Sequence, residues 1–166
     1  IYGATLLWEL TSKGFAAVLV EKDDFGSATS ANSLKIIHGG LRYLQSMDVK
    51  RIRESHKEQK YLLNIAPHLI QPLACIMPTS SQIQNSRWAM ELAFKAYELV
   101  CLDPGGSKGK SLPAGKTFSN GQLHRWLPFL QRQDTTGGAL WYDALNYNSE
   151  RLTLKFILSA CESGAD

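Results

Sequence analysis

The stretch Thr29–Leu44, TSANSLKIIHGGLRYL, decides how the rest of the chain is read. An apolar pair, Ile36 and Ile37, runs into His38-Gly39-Gly40, and Arg42 and Tyr43 follow at once. Adjacent glycines strip side chains from the backbone, so a flat ligand can approach the main-chain N–H groups. Thr29, Ser30 and Ser33 supply hydroxyls before the bend, and Lys35 supplies a cation. The stretch reads as backbone laid against a cofactor, with the Arg42 fork aimed at an anion beyond it.

Upstream, Gly3–Lys13 has helical spacing, with Leu6, Leu7 and Leu10 on one face and Gly14 as a C-cap. Ala16–Glu21 (AAVLVE) is a short apolar run ending in an acid, as a buried parallel strand would be. Helix, glycine and strand form the second half of a βαβ unit. A dinucleotide fingerprint ends in a glycine that packs helix on strand, with a ribose-binding acid about 20 residues on. Gly3 fits the glycine, and Glu21, 18 residues later, fits the acid. A plain N-terminal helix followed by a core strand fits these two residues equally well.

Downstream, Asp48–Ile65 is expected as a helix capped by Asp48 and stopped by Pro67, with Val49, Ile52, Leu62 and Leu63 as its apolar stripe. Lys50, Arg51, Arg53, Lys57 and Lys60 make it basic, a solvated face balanced by Glu54 and Glu58. His56 and His68 read as structural. Leu69–Met77 reads as a strand that Pro72 confines to an edge or bulge. Arg87–Leu102 is apolar around its circumference, which implies burial between layers or against a partner or lipid surface, burial in the complete protein being favoured.

The Gly/Lys loop Pro104–Lys116 imitates a P-loop at Gly109-Lys110-Ser111. Pro104 stands where that motif needs glycine, and Pro113 blocks a following helix, so the loop reads as mobile and solvated. Ser119 and Gln122 form a capping box. Gly138–Asp143 reads as a strand. A helix from about Glu150 to Ser163, capped by Asn148 or Ser149, should turn Leu152, Leu154, Ile157, Leu158 and Cys161 inward.

The 166 residues can bury a core, and 44% hydrophobic and 20% charged content is ordinary globular composition. A net charge of +3 gives no reason to expect nucleic acid. Three scattered cysteines carry no metal spacing and no disulfide framework, so a reducing, cytoplasmic setting is expected. No run reaches the roughly 18 apolar residues of a membrane span. The chain opens inside an apparent helix and stops after Gly164, which reads as a piece of a longer protein.

Gly3, Val18–Leu44, Ala66–Leu69 (APHL), Gly138–Ala144 (GALWYDA) and Asn148–Leu154 (NSERLTL) together resemble the FAD-dependent glycerol-3-phosphate dehydrogenases, within the D-amino-acid-oxidase-like flavoprotein superfamily. The Lys-x-x-His-Gly-Gly-Leu-Arg-Tyr run carries most of this. The resemblance implies an α/β, Rossmann-like FAD-binding fold, incomplete here. Residues 1–70 would be its FAD-binding half without the first strand, 71–137 part of an inserted α+β substrate region, and 138–166 the return to the FAD domain.

It also implies roles. Gly3 would close the FAD fingerprint, Glu21 would hold the ribose and Lys22 would flank it. Thr29, Ser30 and Ser33 would meet the pyrophosphate and ribityl chain. Lys35 and the His38, Gly39, Gly40 and Leu41 backbone would run beside the isoalloxazine. Arg42 and Tyr43 would border the glycerol 3-phosphate pocket. His38 suits a base by type, but its place in the glycine turn favours flavin contact, with the base expected beyond Asp166. Electrons would pass to quinone at a membrane, or to oxygen as in oxidase relatives, and any attachment to the inner face of the membrane would be peripheral.

Asn148 and Ser149 depart from the acids that relatives often carry, which leaves room for a flavoenzyme acting on an amine or another hydroxy acid. A rival of a different class is a non-catalytic interaction module. Without the first strand, the chain alone is expected to bind FAD poorly and not turn over.

Overall fold

The structure, a computed structural model, describes residues 1–102, 109–130 and 134–165. The chain divides into two compact units. Ile1–Ile36, His68–Ile70 and Asn146–Asp166 form the first, and Ile37–Pro67 and Gln71–Leu145 the second.

In the first unit, helix α1 (Tyr2–Ser12) buries Ala4, Leu7 and Thr11, while Leu6 stays exposed. It packs against α5 (Ser149–Glu162), where Leu7 meets Ala160 and Ala165 and Trp8 sets its ring edge-on to Phe156 at 5.5 Å. Asn148 caps α5 by accepting the Arg151 N–H at 2.8 Å. The buried face of α5 is Ser149, Leu152, Thr153, Phe156, Ile157 and Ala160, rotated from the expected one. Leu154, Leu158 and Cys161 face solvent. The seed of the packing is the small Ala160 opposite Leu7, which a count of large apolar residues overlooks.

Ala16–Glu21 is not a hydrogen-bonded strand. It is extended and alternates, with Ala17 and Leu19 packed on the Leu7 cluster and Val18 and Val20 turned to solvent. Alternation is local, whereas a strand also needs a neighbour to pair with, and none of the described residues pairs here.

The second unit is built on a sheet in which β4 (Thr135–Asn146) pairs with β1 (Ile36–Ile37), β2 (Ile70–Ser80) and β3 (Lys116–Ser119). β2, carrying Pro72 and Pro78, lies at the edge. β3 runs antiparallel to β4, placing Phe118 opposite Gly138. A Cβ on Gly138 would collide with the Phe118 ring, so the glycine seats the aromatic. Phe118, Leu123 and Leu140 form the core there, with Ile76, Leu127, Leu130 and Tyr142 packed around them.

α2 (Val49–Ile65) starts at Asp48, whose carboxylate accepts the Arg51 N–H, and buries Ile52, Gln59 and Leu63. α3 (Arg87–Val100) is capped by Ser86 and buries only Phe94. The Ser119–Gln122 capping box opens α4 (Asn120–Trp126).

Residues 104–108 of the Pro104–Lys116 loop lie outside the described residues, as does Asp166. The rest is mostly exposed, as expected, but Lys110 is anchored. Asn64 of α2 accepts the Lys110 N–H at 2.8 Å and donates to the Lys110 carbonyl at 3.2 Å.

Candidate functional site

The His38-Gly39-Gly40 bend is fixed from three elements of the second unit. From α2, the buried Gln59 amide donates to the Ile37 carbonyl at 2.7 Å. From α3, the Tyr97 hydroxyl donates to the Gly39 carbonyl at 2.6 Å. From β4, Asp143 takes two bonds: one oxygen accepts the Gly39 N–H at 3.0 Å and the other lies 2.8 Å from His38 Nδ1. His56 Nδ1 lies 3.1 Å from the Tyr97 oxygen. The Tyr97 proton is committed to Gly39, so His56 is the donor in that pair.

This arrangement revises the reason for the glycines. A Cβ on Gly39 would meet the Tyr97 hydroxyl at 2.7 Å and Gln59 Oε1 at 2.9 Å. One on Gly40 would meet Ser55 Cβ at 3.0 Å and Ile52 Cα at 3.1 Å. Gly40 also has φ +90°, a left-handed conformation that suits glycine. Both glycines are buried, and the bareness of the bend admits α2 and α3. Both main-chain groups of Gly39 are already bonded to protein.

The bend delivers side chains outward. His38 keeps 66% of its side chain accessible while Asp143 keeps 10%. The short 3-10 turn Leu41–Leu44 then carries Arg42 into solvent, with no acidic partner among the described residues. Tyr43 is half-buried, with the Arg51 guanidinium 5.8 Å from its ring centre. A cavity of about 500 Å³ opens beside the bend, walled by Gly39, Leu41, Tyr97, Trp141 and Asp143.

Burial, the nearby Cys101 thiol and the Asp143 carboxylate push the Tyr97 hydroxyl far above the usual phenol range, so it stays a neutral donor. Burial and then Asp143 likewise push the Cys75 thiol up.

The first unit gathers the remaining expected residues. Gly3 lies in the first turn of α1, and a Cβ there would stand 3.1 Å from Leu19 Cδ1, so helix and extended segment approach as the fingerprint requires. No side chain caps α1. The Ile1 nitrogen at its start donates to Ser30 Oγ at 2.8 Å, and the Ser30 carbonyl accepts the Ser149 hydroxyl at 2.6 Å. Thr29 is exposed.

Ser33 Oγ accepts the Lys35 N–H at 3.2 Å, so it is spent on a turn. Glu21 is exposed and caps its own turn, accepting the Lys22 and Asp23 N–H groups. The Lys22 ammonium lies 3.7 Å from Asp23. Lys35 is held at φ +56°, and its ammonium lies 3.2 and 3.0 Å from the two oxygens of Glu150. The Glu150 backbone N–H, then Lys35, and Ser149 hold that carboxyl below its usual range.

Sequence reasoning missed Asp143, Gln59, Tyr97 and Glu150. Gln59 had a signal: it sits seven residues after Ile52 and four before Leu63, a polar residue on an apolar stripe. Asp143 had one too, as the acid in the apolar run GALWYDA.

The residues fit a flavin dinucleotide in two respects: Gly3 allows close packing at an uncapped helix N-terminus, and a rigid bend presents His38 and Arg42 beside a cavity. Among solved structures, the fold matches an L-proline dehydrogenase from P. horikoshii with a TM-score of 0.66 at 15% identity, over 98% of this chain and 40% of that one. It also matches a glycine oxidase from Bacillus cereus with a TM-score of 0.54 at 14% identity, over 98% and 42%.

The chain is 35% identical over 153 residues to a glycerol-3-phosphate dehydrogenase of Synechocystis sp., covering 92% of this chain and 27% of that protein. It is 33% identical over 170 residues to the mitochondrial glycerol-3-phosphate dehydrogenase of Homo sapiens, covering 98% and 22%. The chain thus spans about a quarter of the length of these relatives. The sequence profile of the FAD-dependent oxidoreductase (DAO) family matches residues 1–166, and the chain belongs to that family of FAD-dependent enzymes.

Proposed function

We propose that the chain is part of an sn-glycerol 3-phosphate dehydrogenase, in which Arg42 binds the substrate phosphate. The observation that carries this reading is Arg42 itself: an exposed guanidinium with no acidic partner among the described residues, four residues after a clamped histidine. An arginine fork left unneutralised at a fixed turn suits a phosphate dianion. Tyr43 would border the same pocket.

FAD would be held by Gly3 and the open start of α1, with Thr29, Ser30 and Ser33 near the pyrophosphate and ribityl chain and Glu21 and Lys22 at the ribose. Lys35, braced by Glu150, and the His38, Gly39, Gly40 and Leu41 bend would flank the ring. In this reading 1–70 and 138–166 serve the cofactor and 71–137 the substrate side. FAD supplies the two-electron oxidation that takes the secondary alcohol to dihydroxyacetone phosphate.

The electrons would pass to quinone, from a cytoplasmic enzyme resting peripherally on the inner face of a membrane. No helix of the described residues is long and apolar enough to cross one. α3 offers the contact. Trp88, Leu92 and Leu99 are 61, 60 and 69% exposed, and basic α2 packs beside it, with Arg53 donating to the Val100 carbonyl. An apolar stripe edged by cations suits anionic lipid.

The test is anaerobic addition of glycerol 3-phosphate to the full-length flavoprotein, against a panel of amino and hydroxy acids. Bleaching of the flavin by glycerol 3-phosphate alone is expected. Bleaching by an amine or another hydroxy acid alone would reassign the substrate. A protein that never loads flavin would be the non-catalytic module.

A further inference from the structure

We propose that Asp143 is a positioning residue that makes His38 the base for the substrate hydroxyl, a step that rests on the dehydrogenase reading above. A carboxylate can only accept, so an Nδ1 held 2.8 Å from Asp143 Oδ2 carries the ring proton. The neutral ring therefore keeps its lone pair on Nε2. The same carboxylate holds the Gly39 N–H at 3.0 Å, so ring and backbone are fixed by one group. Asp143 is buried while His38 is mostly exposed, so the clamp grips the ring from its buried side.

In the reaction the substrate O–H bond breaks and its proton goes to Nε2. FAD, when bound, would supply the two-electron oxidation, taking the C2 hydrogen with its electron pair as the carbonyl forms. His38 becomes an imidazolium facing the Asp143 carboxylate, and its exposure lets the proton pass on to water.

The other titratable groups around the clamp do not compete. Cys75 on β2 and Tyr97 on α3 both feel the Asp143 charge, and both are pushed toward their neutral forms. His56 on α2 faces the Tyr97 hydroxyl. Arg42 follows on the next turn.

The test uses the full-length flavoprotein. Histidine ¹⁵N NMR on the wild type should show neutral His38 protonated at Nδ1 and bare at Nε2. Asp143→Asn keeps an oxygen for the Gly39 N–H but presents an amide donor to Nδ1, forcing the other tautomer. Its kcat should fall about 100-fold or more, the scale of a general base, with flavin content and KM unchanged.

A positioning residue acts only through its partner, so Asp143→Asn in a His38→Ala background should cost nothing further. A proton on Nε2 in the neutral wild-type ring, or an Asp143→Asn enzyme with undiminished kcat, would overturn the proposal. If glycerol 3-phosphate proves not to be the substrate, the tautomer still decides the positioning role, and the rate test moves to whichever compound bleaches the flavin.

Discussion

At Gly39 the missing side chain makes room for a hydroxyl, and that hydroxyl can be tested. Tyr97→Phe leaves the Gly39 carbonyl without its 2.6 Å donor in a buried place. It should cost about 1–3 kcal/mol, read by denaturant unfolding. Gly39→Ala drives a methyl into the same space, so its cost should be smaller in the Tyr97→Phe background than in the wild type, a coupling a double-mutant cycle resolves. Arg42 makes the complementary case, exposed and without such a bond among the described residues. Arg42→Ala should lower kcat/KM for glycerol 3-phosphate about 10- to 100-fold, the worth of a charged hydrogen bond, while leaving unfolding unchanged. The special character of this stretch was visible in the sequence, because two glycines and an arginine are a local pattern. The reason for the glycines was not, since the groups that crowd them, Ser55, Gln59 and Tyr97, come from two helices further along. Asp143 was hidden by the same kind of distance, 105 residues from His38.

Among the elements, helix starts were the most legible feature. Asp48, Ser119 with Gln122, and Asn148 each satisfy an N–H within the next turn, so the signal and its effect sit side by side. Ala16–Glu21 was read as a buried, paired strand, whereas it alternates and pairs with none of the described residues, because pairing and burial depend on other segments. The face of α5 was misjudged in part because small and polar residues, Ser149, Thr153 and Ala160, share it with Leu152, Phe156 and Ile157. The start of α5 also makes a pH prediction. Glu150 is held below the ordinary carboxylate range, so the folded chain favours its ionised form. The stabilisation is fully present above the ordinary range and drains away as pH falls through the lowered value. Glu150→Gln should flatten that acid-side fall and lower thermal stability near neutrality by the same small amount, small because the ion pair is screened by solvent. At β3–β4, Gly138→Val would push the Phe118 ring out of its seat and should destabilise by about 1–3 kcal/mol.

At the scale of the whole molecule, the question is what meets α3. Its composition favours burial in the complete protein; within these residues Phe94 alone is buried, while Trp88, Leu92 and Leu99 lie in one exposed line. Residues 88, 92 and 99 fall within about 40° of each other at 100° per residue, so the line is a real stripe. Lys95 stands beside it, paired with Glu91 at 3.2 Å. Lys95 lies about 20° beyond the Trp88 edge of the stripe, where at a bilayer surface its stem can lie flat and its ammonium reach the headgroups. Lys50 and Lys57 on α2, seven residues apart on one exposed face, would add attraction of about 1 kcal/mol each near anionic lipid. The full-length protein should therefore float with vesicles containing anionic lipid, and less so as ionic strength rises. Trp88→Glu with Leu92→Glu should abolish flotation and leave unfolding unchanged. Lys50→Gln with Lys57→Gln should weaken flotation by about one to two orders of magnitude. If the glutamate pair instead collapses the fold, the stripe is covered by the protein itself and the membrane reading fails.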